Sequence, residues 1–283
     1  MVAAVIPYEL IVCSASRPHL LEPTLRTLLT HDDQWPERIW VHDDAVFVDR
    51  QEAVALAINR AVMSVLRLPN DVVPKEVTLL CDNPPIRHGP ALARLLGQVR
   101  TEYVLYSQDD HEVVRPLPVR DTLGLMEKYH RIVQIRYNKR DTGPVKGEPN
   151  DPEAFHKVTK VFELDGKQFP LTTADHFYFQ TNVFRVASLK PIVDWWMAHP
   201  EHGTFSEHAE IKTNRVMNGE YLAYHPTFPP EVPILQPGDG AWNDPEVRAR
   251  VHGTWIWGPI GEKRFIDHLG ADPKDWAMVR NRG

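Results

Sequence analysis

The stretch Tyr103-Val-Leu-Tyr-Ser-Gln-Asp-Asp-His-Glu-Val113 (YVLYSQDDHEV) sets four mostly apolar residues before two adjacent carboxylates, a histidine and a third acid. The apolar part has the length and composition of a buried strand. Buried strands avoid charge unless it is paired or bound. A strand ending on Asp109-Asp110-His111 therefore delivers metal-type ligands to one end of a sheet. The competing reading is a solvated turn carrying surface acids.

The segments upstream decide between them. Glu9–Ser14 (ELIVCS), Arg38–Asp44 (RIWVHDD) and Glu76–Asp82 (EVTLLCD) are short runs rich in β-branched residues. Between them, Leu20, Leu21, Thr24, Leu25, Leu28 and Leu29 repeat at helical spacing, as do Val54, Ile58, Ala61, Val62 and Val65 within residues 50–66. A third helix is expected over Gly89–Val99, with Pro90 in its first turn. The order β-α-β-α-β-α-β predicts an α/β fold, a mostly parallel central sheet flanked by helices. Such sheets bind ligands beyond the carboxyl ends of their strands. Those ends read Ser14-Ala15-Ser16-Arg17, His42-Asp43-Asp44, Asp82-Asn83 and Gln108-Asp109-Asp110-His111. The pattern predicts one polar, acid-rich rim; the alternative is that loops are polar anyway.

The second half is less regular. Arg131–Asn138 reads as a strand, KVTKVFELDGKQFPL as a hairpin turning at Asp165-Gly166, and His176–Leu189 as an aromatic strand. Phe205–Gly219 reads as a helix, EYLAYHP after it as a short strand, and the tail holds Trp242, Trp255, Trp257 and Trp276. We expect residues 1–115 to form a ligand-binding half and 116–283 a second half of the same compact domain.

Composition sets outer bounds. Of 283 residues, 42% are hydrophobic and 25% charged, as in ordinary soluble domains. A formal charge of −6 gives no support for a nucleic-acid surface. No apolar run approaches the roughly 18 residues of a membrane helix. The apolar start MVAAVIPYELIVC is interrupted by Pro7 and Glu9 and reads as a first strand rather than a leader. Cys13 and Cys81 lie in apolar segments and read as buried free thiols, which favours a reducing, cytoplasmic setting.

Four motifs occur in the order found in GT-A glycosyltransferases, and the chain resembles the family 2 type over roughly residues 8–226. IVCSASRPHLLEPTLRTLL is similar to that family's opening strand and helix. IWVHDDA is similar to its second strand ending in Asp-Asp. NPPIRHGPALARLLGQVRTEYVLYSQDD matches the segment leading to the Asp-x-Asp strand through Gly89, Pro90 and Arg94. FSEHAEIKTNRVMNGEYLAYHP resembles the Glu-Asp-x-Glu helix, with Glu207 and Glu210 in place but His208 where an Asp is usual. The metal motif departs from Asp-x-Asp toward a Glu-Asp-Asp variant.

The resemblance implies a GT-A-type, Rossmann-like sheet with an irregular C-terminal acceptor-side region. It implies a glycosyltransferase that moves a sugar from a nucleotide-diphosphate donor, a UDP-sugar in first choice, to a hydroxyl acceptor, with Mn²⁺ or Mg²⁺. Asp110 is then the metal ligand, and His252 a candidate third ligand on a loop, with Trp255 and Trp257, closing over the donor. His111 ranks lower because it directly follows Asp110. Donor-binding candidates are Ser14, Ser16, Arg17, Asp43, Asp44, Gly89, Arg94 and Asp109, the last toward ribose or as a support of the metal ligand. Glu207, with Glu210 one turn on, is the candidate base.

Bland readings compete with each. Asp43-Asp44 could cap the next element, Arg94 could be a helix-surface arginine, Glu207 an ordinary first-turn acid and His252 an exposed turn residue. The partner is a nucleotide-sugar; the acceptor, glycan, protein, small molecule or modified nucleic acid, is not readable. Two other functions stay open: a non-catalytic nucleotide-sugar or carbohydrate-binding protein on the same fold, and a sugar nucleotidyltransferase. Against the latter, SASRPHLL lacks the glycine-rich loop expected after strand one.

Overall fold

The structure, a computed structural model, describes residues 5–44, 48–66, 74–82, 86, 88–139, 145–146, 155–174, 179–189 and 253–269. In chain order the elements are β1 (Tyr8–Ser14), α1 (Pro18–His31), β2 (Arg38–Asp43), α2 (Gln51–Val65), β3 (Glu76–Cys81), α3 (His88–Leu96), β4 (Tyr103–Gln108), β5 (His111–Val113) and α4 (Val119–Lys128). Then follow β6 (Gln134–Arg136), β7 (Val145–Lys146), β8 (Phe155–His156), β9 (Thr159–Leu164), β10 (Lys167–Thr173), β11 (Asn182–Arg185), β12 (Thr254–Trp257) and β13 (Ile266–His268).

Nine strands form one sheet in the order β3-β2-β1-β4-β11-β6-β12-β10-β9. The four at the β3 end run parallel, and β6 pairs parallel with β12; β11, β10 and β9 bring the antiparallel pairings. The parallel strands β1, β2 and β4 are buried on both faces, whereas β3, at the edge of the sheet, is exposed to half-buried. Tyr8, Leu10 and Val12 of β1 pack with Leu21, Leu25, Val54 and Ile58 of α1 and α2. Ile11 and Cys13 turn to the other face, with Trp40, Leu92 and Leu95. Near-continuous apolar strands follow from this two-sided cover. The one charge in β1, Glu9, is buried and fully partnered by Arg38 Nη1 (3.0 Å), Trp40 Nε1 (2.5 Å) and the Arg100 N–H (3.1 Å).

Strand order reverses beside β1: β2 and β3 lie to one side, β4 to the other. In open α/β sheets that is where the crevice forms. Registers Ser14↔Asp43, Asp43↔Cys81 and Cys13↔Gln108 put all four strand ends on one rim, as the sequence pattern predicts.

Several expectations change. Trp255 and Trp257 are not on a closing loop. They belong to β12, inside the sheet between β6 and β10, where Trp255 packs edge-on to Phe162 and Trp257 against Phe169. Aromatic alternation there reflects core packing. Of the strand expected over His176–Leu189, the described residues 179–189 are in strand at Asn182–Arg185, and residues 186–189 are already helical. The strand at 131–138 shortens to Gln134–Arg136. The hairpin at Asp165-Gly166 is present, both residues at positive φ (52° and 75°) as a two-residue turn requires. Both cysteines are free, but Cys81 is only half-buried. The helix at 205–219 and the strand after it lie outside the described residues.

Two measurements follow from this packing. Gly253, at φ +58°, admits β12 to the sheet; a Cβ there would overlap the Arg131 carbonyl and crowd Val133. Gly253→Ala should cost more than about 1 kcal/mol in urea denaturation. His88 sits edge-on to Tyr106 and Phe179, and burial, then the His42 charge, lowers its pKa from 6.5 to about 4. The unfolded imidazole takes its proton first, so folding stability falls as pH drops from about 6.5 toward 4. Denaturation midpoints should show a smaller fall in His88→Gln.

Candidate active site

The site is assembled at the switch point from the β1–α1 turn, the end of β4 and a short ribbon of β5 with β13. Ser16 opens the turn in the left-handed region, φ 56°, which costs a non-glycine residue on the order of 1 kcal/mol or more. Asp43 holds it there: Oδ1 accepts the Ser16 N–H (2.6 Å) and Oδ2 the Ser16 hydroxyl (3.1 Å). Pro18 then starts α1 with its φ already set. The result is that Arg17 points at the end of β4.

Arg17 meets both acids. Its Nε donates to Asp109 Oδ2 (3.2 Å), its Nη2 pairs with Asp109 Oδ1, and its Nη1 lies 3.4 Å from Asp110 Oδ2. Asp109 also accepts from Ser14 Oγ and the Ala15 N–H, both 3.1 Å. Its oxygens are thus spent inside the protein, and it props the turn. Asp110 differs. Oδ2 faces His268 Nε2 at 3.1 Å, while the buried Oδ1 has no hydrogen-bond partner. His111 Nε2, buried and likewise without one, lies 3.7 Å from that Oδ1. His111 Nδ1 is held by Thr181 Oγ1 (3.0 Å), which also bonds Ser107 Oγ (3.0 Å).

Electrostatics separates the two acids. Burial raises the Asp109 carboxyl, and the adjacent Asp110 charge adds to this against the pull of Arg17. Burial would raise Asp110 too, but the His268 hydrogen bond and the charges of His111, Arg17 and His268 outweigh it and hold Asp110 below the usual range. Burial, then the Lys139 charge, pushes His111 down to about 3. His111 is therefore neutral at pH 7, which leaves Arg17 as the charge beside Asp110. An anionic carboxylate and a neutral imidazole with free lone pairs are what a divalent cation takes as ligands. One ligand atom from each of Asp110, His111 and His268 lies within 4.8 Å of the other two. The two orphaned buried atoms fit a metal between them.

His268 carries no motif; its only signal is a short Phe-Ile run followed by polar residues. It arrives because β13 pairs antiparallel with β5, His268 opposite His111, and the Leu269 N–H donates to the Asp110 carbonyl (2.8 Å). His111 ranked lower because it directly follows Asp110, yet Asp110 lies in the turn between β4 and β5, and the two adjacent side chains come within 3.7 Å of each other there. His252, Glu207 and Glu210 lie outside the described residues. Along the rim, Asp44 Oδ1 accepts the Ile86 N–H (2.7 Å). Gly89 is buried in the first turn of α3. Arg94 pairs with Asp82, whose other oxygen is 2.6 Å from His42 Nε2.

A scan against protein-family models gives no match, and neither does a search of curated proteins. Solved structures do match. S. aureus TarS 1-349 in complex with UDP superposes with a TM-score of 0.51 at 13% identity, over 97% of this chain and 63% of that one. The chain has the GT-A glycosyltransferase fold. The same TarS fragment without UDP gives 0.46 at 13% identity, with the same coverage. The Pyrobaculum calidifontis mannosyltransferase PcManGT, in complex with GDP-Man and Mn²⁺, gives 0.42 at 16% identity over 67% of this chain and 47% of that one. At such identities the likeness speaks for the GT-A fold alone, and the chain spans less than two thirds of the TarS fragment it matches. No helix among the described residues is long and apolar enough to cross a membrane.

Arg17 is the only cation that contacts both acids among the ion pairs of the described residues. Arg17→Ala should therefore destabilise the fold by about 3–5 kcal/mol, the usual cost of removing one partner from a buried pair. Asp109→Asn in that background should recover part of the loss. Urea denaturation at pH 7 of both variants checks this.

Proposed function

We propose that this chain is a metal-dependent glycosyltransferase that takes its sugar from a nucleoside diphosphate donor, a UDP-sugar in first choice. The observation that carries the reading is the buried Asp110 Oδ1, orphaned beside His111 Nε2 and backed by His268, in the crevice of a GT-A sheet. TarS 1-349, whose fold this chain shares, is in complex with UDP in its crystal structure, which supports a uridine nucleotide as first choice.

In this reading Asp110, His111 and His268 hold the cation, with His268 in the part first assigned to His252. Two imidazoles and one carboxylate suit Mn²⁺ better than Mg²⁺, which prefers an all-oxygen shell. When bound, the ion neutralises charge on the departing diphosphate. Arg17 keeps Asp110 anionic and fixed, and its Nη1 edge adds positive charge beside the diphosphate. Ser14, Ser16, Asp43, Asp44, Gly89 and Arg94 shape the nucleoside side of the rim, with Asp109 as a support. Thr181 fixes the His111 ring so that Nε2 stays a lone-pair donor. Glu207, with Glu210, remains our choice of base for the acceptor hydroxyl. The acceptor-side half, 116–283, would supply it within the same domain.

Incubation with Mn²⁺ and a panel of UDP- and GDP-sugars should release the nucleoside diphosphate. Asp110→Asn should abolish that release, and His268→Ala should weaken Mn²⁺ binding by about 10-fold or more. A protein that binds no nucleoside diphosphate, with or without Mn²⁺, overturns the reading. Tight donor binding without turnover on any acceptor would instead favour the non-catalytic alternative.

A further inference from the structure

The ribbon that carries His111 and His268 has a second end. There Val114, Arg115, Lys263 and Arg264 line a pocket of about 450 Å³. Three of these four residues are cations, on a chain whose formal charge is −6. The backbone closes the ribbon at this end through the Val114 N–H to the Phe265 carbonyl (2.9 Å). Arg115 is seated on the Phe265 ring, its Cζ 3.4 Å from the centroid, so its guanidinium is a fixed wall.

The acids nearby do not cancel the cations. Glu262 takes Arg115 Nη2 at 2.6 Å, and Asp267 takes Arg264 Nε at 2.6 Å. Glu112 faces Asp267 one pair nearer the histidines and bounds the basic stretch on that side. Lys263 makes no hydrogen bond or ion pair among the described residues, and the buried Nε of Arg115 has no hydrogen-bond partner. The pocket thus keeps one unneutralised charge, that of Lys263, beside two arginines each already paired with an acid. A tetrahedral oxyanion, with lone pairs in several directions, satisfies such a set better than a neutral ligand or a planar carboxylate. None of Asp110, His111 and His268 is among the residues that line it, so the pocket is separate from the candidate metal cluster.

We propose that the Arg115–Lys263–Arg264 pocket is a second binding site, for an anion of the phosphate class. The anion is either free phosphate or a phosphate carried on a sugar, and binding distinguishes the two. The site stands independently of the donor reading.

The test titrates inorganic phosphate into the full chain at low salt, followed by ³¹P NMR, for the wild type, Asp110→Asn and the double variant Lys263→Gln/Arg264→Gln. Both substituted cations are exposed, so the double variant should fold; its unchanged binding of UDP with Mn²⁺ is the control for the donor crevice. We expect Asp110→Asn to keep phosphate binding and the double variant to lose about tenfold or more in affinity. Absence of phosphate binding in the wild type, loss of it in Asp110→Asn, or retention in the double variant each overturns the proposal. Failure of UDP binding in the wild type would sink the donor reading and leave this one standing. A hexose phosphate that binds about tenfold tighter than inorganic phosphate, with the bare hexose silent, assigns a sugar-borne phosphate; equal affinities assign the free anion.

Discussion

Two carboxylates next to each other in sequence, both buried, need a cation, and Arg17 supplies it. At contact distance and reduced dielectric their mutual repulsion would reach several kcal/mol. The guanidinium fork spans Asp109 and reaches Asp110 with its remaining nitrogen. Much of the local structure exists to deliver that side chain. Asp43 pins Ser16 in a left-handed conformation, Ser16 turns the chain, and Pro18 starts the helix that carries Arg17 at its mouth.

That arrangement makes neighbouring acids unlike. Asp109 is enclosed by hydrogen bonds from its own fold and behaves as a strut. Asp110 keeps one buried oxygen without a hydrogen bond, next to an imidazole nitrogen in the same condition. Buried polar atoms without partners are costly and rare, and a cluster of them is read most simply as a place prepared for something else. The rim around it follows the same division. Asp43, Asp44 and Asp82 each spend oxygens on the protein itself, so the acid-rich rim is largely internal scaffolding around the one Asp110 oxygen without a hydrogen bond.

The C-terminal ribbon gives this rim its second wall. β13 adds to β5 by three residue pairs, and through that pairing one histidine enters the site from 158 residues away. The same ribbon continues past the histidines into a basic pocket on a rigid Arg115–Phe265 stack. A single two-stranded element thus carries a candidate cation site at one end and a candidate anion site at the other.

Periodicity and strand-end chemistry were enough to read the parallel half. Apolar runs of five or six residues between amphipathic helices have few other solutions, and parallel strands must end on one rim. That Asp109 and Asp110 close the fourth strand was legible for the same reason, since charge at the end of a buried strand has to be accounted for; the preference for Asp110 came from the family resemblance. Local pattern could not say that Trp255 and Trp257 lie inside the sheet, that Asp43 faces Ser16, or that His268 meets His111. Those are contacts between segments far apart in the chain, and no short-range spacing encodes them. The amino-acid order therefore determined which strand would present an acid; only the folded packing, by closing β13 onto β5 and Arg17 onto both acids, decided which carboxylate stayed open and which imidazoles stand beside it.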